Sequence, residues 1–147
     1  MSATSRFYRR RLAELLGTRG NEVRETGSWH DRILGGLEFD AVESVKAHLG
    51  LTDSEVARLL GIGEATLRRA RASGAALDPA TSDRLYRLAK ILAVAEEVLE
   101  SAENGAAWMR RPQPGLGGRV PLELLVTQAG AEQVETLLRR IDFAVYT

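Results

Sequence analysis

Two adjacent arginines, Arg68 and Arg69, carry the most informative chemistry in this sequence. A guanidinium group can donate two parallel hydrogen bonds to the major-groove edge of guanine. At about 100° per residue, both arginines point away from the apolar helix positions, and the neighbouring alanines would let the helix lie deep in a groove. Thr66 and Arg71 fall on the flanks, where they are better placed to touch phosphates or to shield the edge of the core. The pattern predicts DNA contacts by Thr66, Arg68, Arg69 and Arg71, and the alternative is a solvated basic face on an ordinary helical hairpin.

These arginines need a defined backbone, and residues 52–72, TDSEVARLLGIGEATLRRARA, have the pattern of a helix-turn-helix. Thr52 can cap the first helix, and Glu55 completes a capping box. Gly61 can take the left-handed conformation that a sharp turn needs, and Ala57 is small enough for a second helix to cross closely. The other side chains expected to face the core are Val56, Leu60, Ile62, Leu67 and Ala70.

The composition of the 147-residue chain indicates one or two small helical domains. It is 44% hydrophobic and 27% charged, as in ordinary globular proteins, and no segment alternates with the period of a strand. The absence of cysteine excludes thiolate sites and suits a reducing cytoplasm. The sequence shows neither a secretory signal nor a segment long enough to span a membrane. We therefore expect an all-α cytoplasmic protein.

The net charge is zero, which would make a single chain a weak binder of DNA. A homodimer that presents two recognition helices would bind better. Asp78 and Pro79 predict the start of a long helix that runs to about residue 101. Its wide apolar arc should be buried against more than one neighbour, which favours self-association. The alternative, compatible with the first, is a spine between two lobes of a monomer.

Nothing in the sequence predicts catalysis. The two histidines are isolated, and there is no nucleophile motif or metal-ligand pattern. The segment 115–121, GLGGRVP, matches neither the dinucleotide fingerprint nor a phosphate-binding loop, and no strand precedes it. We expect its glycines to permit close packing and Arg119 to point at a carboxylate or carbonyl. The chain is thus expected to be no enzyme and to hold no cofactor and no metal.

The N-terminal part is compatible with three roles. Residues 6–16 form a predicted amphipathic helix with arginines near its start, which could be an arm on DNA or on a partner, or a solvated tail that orders on binding. Residues 18–28 are predicted to be a linker. Residues 29–39 are predicted to form a short helix and turn that pack on the domain. Asp40 is expected to cap the next helix, 41–49, with Glu43 completing a capping box.

The C-terminal part is predicted to be a second group of helices. Gly105 should separate the long helix from residues 106–111, where Trp108 and Met109 close the core. Pro121 starts a helix, and residues 129–141 form the last one. The apolar residues 143–146 follow, and they must be buried in the fold or offered to a partner.

Three stretches of this sequence resemble a known family. They read ATLRRARA, LDPATSDRLYRLAKILAVAEEV and AAWMRRPQPGLGGRVPLELLVTQAGAEQVETLLRRIDFAVY. Together they are similar to Xre/MbcA/ParS-type antitoxins of bacterial toxin-antitoxin pairs, over roughly residues 30–147. The most specific matches are SDRL at 82–85, Trp108, LGGR at 116–119, PL at 121–122, Gly130, Val134 and Leu138.

The resemblance implies an Xre/Cro-like helix-turn-helix part joined by a long helix to a small C-terminal helical toxin-binding domain. It divides the chain into a basic arm and linker at 1–28, a DNA-binding domain at 29–78, a connecting and dimerisation region at 79–111, and a toxin-binding domain at 112–147. It also implies a dual role. The protein would block the active site of a RES-domain toxin that degrades NAD, and would repress its own operon by binding promoter DNA.

The same resemblance directs attention to the C-terminal helix and tail as the toxin-binding part. A toxin site that holds pyrophosphate should be cationic and polar, so an acidic side chain could enter it. The residues expected to bind toxin are Arg119, Glu135, Asp142, Phe143, Val145 and Tyr146. The alternative function is a stand-alone repressor whose C-terminal domain senses a small ligand.

Overall fold

A computed structural model of the chain describes residues 3–17 and 28–145. Within these ranges every regular element is a helix, which confirms the all-α prediction. No helix in the described ranges is long and apolar enough to cross a membrane. The elements are α1 (Ala3–Leu15), α2 (Ser28–Gly35), α3 (Phe39–Leu49), α4 (Asp53–Leu60), α5 (Glu64–Ser73), α6 (Pro79–Val98), α7 (Ala102–Met109), a 3-10 turn (Pro114–Leu116), α8 (Pro121–Leu124) and α9 (Gln128–Val145).

The long helix α6 is the centre of the fold. Asp78 caps it by accepting a hydrogen bond of 2.7 Å from the Thr81 amide, and Pro79 occupies its first position. Helices α1, α2, α3, α4, α7 and α9 all pack on α6, so its wide apolar arc is buried by the chain itself. The structure thus shows the spine arrangement, and the arc gives no reason for self-association. The homodimer stays a prediction.

The turn after α6 comes earlier than residue 101. Leu99 ends the helix, and Glu100 adopts a left-handed φ of 66°. Ser101 then caps α7 by accepting a hydrogen bond of 2.9 Å from the Asn104 amide. This tight reversal sends α7 back along α6.

Gly105 does not separate two elements, as the sequence had suggested, but lies inside α7. A Cβ atom at this position would lie 2.8 Å from the backbone Cα of Glu96. The glycine therefore lets α7 approach α6 at backbone contact. Met109 is fully buried and Trp108 partly buried, which confirms that this segment closes the core.

Helix α1 is part of the core. Leu12, Leu15 and Leu16 are buried, and Arg11 pairs with the buried carboxylate of Glu96 on α6. The solvated-tail interpretation is therefore wrong for this helix, because its leucines cover α6 and α3. Its arginines Arg9 and Arg10 remain exposed, and the linker at residues 18–27 lies outside the described residues.

The loop between α2 and α3 is held by α6. The Leu37 amide donates a hydrogen bond of 2.9 Å to Ser82 Oγ, and the Leu37 carbonyl accepts one of 2.9 Å from the Leu77 amide. Helix α3 then starts at Phe39, whose ring is buried. The capping box predicted from Asp40 is wrong, because burial of Phe39 draws it into the helix and leaves Asp40 in the first turn.

The C-terminal helices pack through glycines. A Cβ at Gly115 would lie 2.6 Å from Leu137 Cδ1, and one at Gly130 would lie 1.9 Å from the Leu124 carbonyl oxygen. The close packing expected of the GLGGRVP glycines is confirmed at Gly115 alone. A Cβ at Gly117 or Gly118 would meet nothing within 4 Å, and these two residues instead adopt left-handed φ values of 67° and 83°. Pro121 begins α8, as predicted.

Candidate functional site

Helices α4 and α5 form the helix-turn-helix predicted from the sequence. Thr52 Oγ1 accepts a hydrogen bond of 3.1 Å from the Glu55 amide, and the Thr52 amide donates one of 3.0 Å to Glu55 Oε1. Gly61 ends α4 with φ 70° and ψ 30°, in the left-handed region. Ala57 and Leu67 are buried where the two helices meet. The local signals therefore produce the expected hairpin.

The outer face of α5 presents the two predicted arginines. Arg68 and Arg69 are both exposed, and Arg68 has no hydrogen-bond or ion-pair partner among the described residues. Arg69 Nη2 donates a hydrogen bond of 3.1 Å to Thr66 Oγ1, so Thr66 orients this guanidinium. The arrangement offers two guanidinium groups to a groove, which is the chemistry that reads guanine.

Arg71 is engaged inside the protein. Of the two roles expected for it, phosphate contact or shielding the edge of the core, the structure shows the second, because its guanidinium binds Asp53 and Glu43. Sequence reasoning assigned it to the DNA-binding set because only its angle on the helix was available.

Sequence reasoning also passed over Arg58. This side chain is exposed on α4 and has no ion-pair partner in the part of the chain that the structure describes. The first helix of such a motif crosses the DNA backbone, so Arg58 is a candidate phosphate contact. The sequence feature that could have identified Arg58 is its position as a cation on the polar side of α4.

The C-terminal candidate surface lies along α9. Phe143 is 72% exposed near the end of this helix, so of the two expectations for the tail, exposure holds for Phe143. Next to α9 lies a groove of about 580 Å³, which the sequence did not reveal. It is lined by Gly115, Leu116, Ala129, Glu132, Gln133, Thr136, Leu137 and Arg140.

The acidic residues expected to enter a toxin differ in their availability. Glu135 lies 2.9 Å from Arg139 and 3.7 Å from Lys90, so its charge is already paired. Asp142 is half-buried at the far end of α9. Burial raises the pKa of Glu97, and the negative charge of Asp142 raises it further. Among the described residues Asp142 forms no ion pair, whereas Glu135 forms two, so Asp142 is the more available of the two predicted acids.

Arg119 is exposed beside the 3-10 turn, where its backbone pairs with that of Gln113. Its guanidinium has no carboxylate or carbonyl partner within the described ranges, which contradicts the expectation of an internal partner. The group is thus available to another molecule. Of the remaining predicted residues, Tyr146 and the side chain of Val145 lie outside the described part of the chain.

The described residues contain no group of three histidine, aspartate or glutamate side chains that could hold a metal ion. His30 is exposed at the start of α2.

Two family models match this chain. The antitoxin Xre-like helix-turn-helix domain matches residues 28–90, and the antitoxin Xre/MbcA/ParS C-terminal toxin-binding domain matches residues 94–143. The chain is 30% identical to an antitoxin Xre of Yersinia enterocolitica over 118 residues, 80% of each chain. It is 31% identical to an antitoxin Xre of Pseudomonas putida over 134 residues, 91% of this chain and 82% of the other.

A more distant similarity is to a Prs ADP-ribosylating antitoxin of a Sphingobium species. It is 29% identical over 96 residues, 59% of this chain and 60% of the other. The two domain matches and the antitoxin relatives agree with the arrangement seen here, in which α6 joins the helix-turn-helix to the C-terminal helices. This chain therefore belongs to the Xre family of antitoxins.

Proposed function

We propose that this antitoxin neutralises a RES-domain toxin that degrades NAD, by occluding the toxin's active site. The observation that carries the proposal is the exposed Phe143 near the end of α9, at the limit of the segment that matches the toxin-binding domain. An exposed aromatic ring is typical of a side chain that anchors a protein interface. Phe143 follows Arg140, the last groove residue on α9, by three positions. The resemblance of the C-terminal part to antitoxins of this type supplies the class of toxin.

The contacts within α9 favour a particular way of occlusion. Phe143 would fill the apolar part of the toxin's entrance, and Asp142 would face the cationic groups that hold the pyrophosphate of NAD. Glu135 contributes less, because Arg139 and Lys90 already neutralise it. Arg119 and the groove next to α9 would contact the rim of the toxin.

The second half of the proposal is repression of the antitoxin's own operon. The exposed Arg68 and Arg69 support it, because they lie on the second helix of a motif that places that helix in the major groove. A homodimer would present two such helices to paired half-sites and would double the number of DNA contacts available to one chain of zero net charge.

The test is expression of the neighbouring reading frame with and without this protein, followed by measurement of growth and cellular NAD. Loss of growth and NAD that this protein reverses would support the proposal. Loss of growth that this protein reverses, with unchanged NAD, would support the antitoxin role and exclude NAD degradation by the toxin. Absence of toxicity would favour a stand-alone repressor whose C-terminal groove senses a small ligand.

A further inference from the structure

The guanidinium of Arg71 reaches from α5 to both preceding helices. Its Nη1 and Nη2 donate to Asp53 Oδ2 and Oδ1 at 3.1 and 2.8 Å, a bidentate pair with the first residue of α4. Its Nε donates to Glu43 Oε1 of α3 at 2.9 Å. Its Cζ atom lies 5.3 Å from the centroid of the Phe39 ring. Both outer edges and one face of the guanidinium are therefore occupied by the protein.

The charges around Arg71 also disfavour a phosphate. Lys46 Nζ lies 2.7 Å from Asp53 Oδ1, so two cations and two carboxylates form a cluster with no net charge. Hydrogen bonds from Arg71 and Lys46 hold the pKa of Asp53 well below its usual range, so its carboxylate stays ionised. The Arg71 side chain is 35% exposed and one Nη1 N–H is unused by these contacts, but a phosphate that binds through two N–H groups of one edge would have to displace a carboxylate.

Helix α5 has little else to fix its direction. Leu67 is its single buried residue, and Ala70 is half-buried. One buried leucine and one half-buried alanine give this ten-residue helix few apolar contacts that fix its direction. The fork of Arg71, one turn further on, ties the helix to α3 and α4 at a second point.

We propose that Arg71 is a positioning residue, which sets the direction of the recognition helix and thereby the reach of Arg68 and Arg69, and that it does not contact DNA. The inference rests on the DNA binding proposed above. It predicts that sequence preference depends on the geometry of the Arg71 fork. A lysine keeps the charge but not the bidentate fork, so it cannot replace arginine in this role.

The test compares Arg71→Lys, Arg71→Ala and Asp53→Asn with the wild-type chain. Binding is measured by fluorescence anisotropy on labelled duplexes that tile the region upstream of this gene, and on shuffled duplexes of equal composition. Each titration is repeated across salt concentrations to obtain the dependence of log affinity on log salt. Circular dichroism and thermal unfolding show whether each variant is folded. If Arg71→Ala is unfolded, the comparison is made with Arg71→Lys and Asp53→Asn alone.

If Arg71 positions the helix, Arg71→Lys and Asp53→Asn both lower the preference for the upstream duplex about 10- to 100-fold, the discrimination of one or two base contacts. For Arg71→Lys, affinity for shuffled DNA and the salt slope stay at the wild-type values, because the charge is kept and no phosphate contact is lost. For Asp53→Asn, which leaves the cluster with one net positive charge, affinity for shuffled DNA does not fall. Asp53→Asn is the sharper variant, since it leaves every arginine in place.

A phosphate contact gives a different pattern. Arg71→Ala would then weaken binding to both duplexes equally and reduce the salt slope by about 0.9. Arg71→Lys would bind as the wild type does, and Asp53→Asn, which frees the guanidinium, would bind both duplexes at least as tightly. That result overturns the positioning role but leaves DNA binding intact. Failure of the wild-type chain to prefer any upstream duplex would instead overturn the proposed repression, and the positioning role with it.

Discussion

Replacement of Phe143 by alanine should weaken toxin binding without destabilising the antitoxin. The Phe143 side chain is 72% exposed, so it contributes little to the fold. Complete burial of a phenylalanine is worth about 1.5–3 kcal/mol, and a partner that covers the exposed fraction would therefore gain about 1–2 kcal/mol. The variant should bind toxin about 5- to 30-fold more weakly. Its own free energy of unfolding should change by less than about 0.5 kcal/mol, as at other exposed sites.

The assay is a direct binding titration of the purified product of the neighbouring reading frame, which does not depend on the reaction that the toxin catalyses. The matched control is Phe7→Ala, since Phe7 is 47% exposed on α1, outside the segment that matches the toxin-binding domain. An affinity of Phe143→Ala equal to that of the wild-type chain would refute the assignment of Phe143 to the interface. A clear fall in the unfolding temperature of Phe143→Ala would show that the ring supports the fold instead.

Three further predictions concern separate parts of the molecule. Replacement of both Arg68 and Arg69 by alanine should abolish binding to upstream DNA in an anisotropy assay and leave neutralisation intact, because each good base contact is worth about 1–3 kcal/mol. Gly105→Ala should destabilise the fold by about 1–3 kcal/mol in urea unfolding, since the new Cβ would meet the Glu96 backbone. Asp78→Asn should reduce the loss of stability in acid, measured as the urea midpoint against pH.

The sign of the Asp78 effect follows from its hydrogen bonds. The Thr81 amide, which donates to its carboxylate, lowers the pKa of Asp78 in the folded chain. Its contribution is thus fully present above the unfolded pKa of about 3.9 and is lost as the pH falls through the lowered value. Asparagine can still cap α6 but does not titrate, so a pH profile identical to the wild type would contradict this reasoning.

Controls are available for the other two predictions. Gly35→Ala should not destabilise the fold, because a Cβ there meets nothing within 4 Å. Equal stability of the Gly105 and Gly35 variants would show that α7 and α6 can separate without cost. Loss of both DNA binding and neutralisation in the double arginine variant would indicate unfolding, which circular dichroism would detect.

The features that were predictable from the sequence are those set by neighbouring residues. The capping box of Thr52 and Glu55, the left-handed Gly61 and the Asp78-Pro79 helix start all depend on contacts within four residues of chain. The outward direction of Arg68 and Arg69 follows from helical periodicity alone. These local rules needed no knowledge of the fold.

The predictions that were wrong concern residues whose surroundings are set by contacts with other parts of the fold. Asp40 has the chemistry of a helix cap, but burial of Phe39 moved the start of α3. Gly105 resembled a separator of two helices. The sequence does not show that α7 folds back on α6 and brings this glycine against the backbone of Glu96. The predicted basic arm at 1–28 includes Arg11, whose guanidinium instead pairs with Glu96, 85 positions away in the sequence.

The sequence by itself determined the all-α class, the helix-turn-helix and the family, because these are recorded in local spacing and in motifs that need no partner. Only the tertiary structure decided which charges are free to act. It showed that Arg71 is neutralised by carboxylates of other helices and that Glu135 is paired both with Arg139 of its own helix and with Lys90 of α6. Arg68, Arg119 and the Phe143 ring face outward. The physical reason is that a side chain's availability depends on what the folded chain places within a few ångströms of it, and sequence separation does not specify that distance.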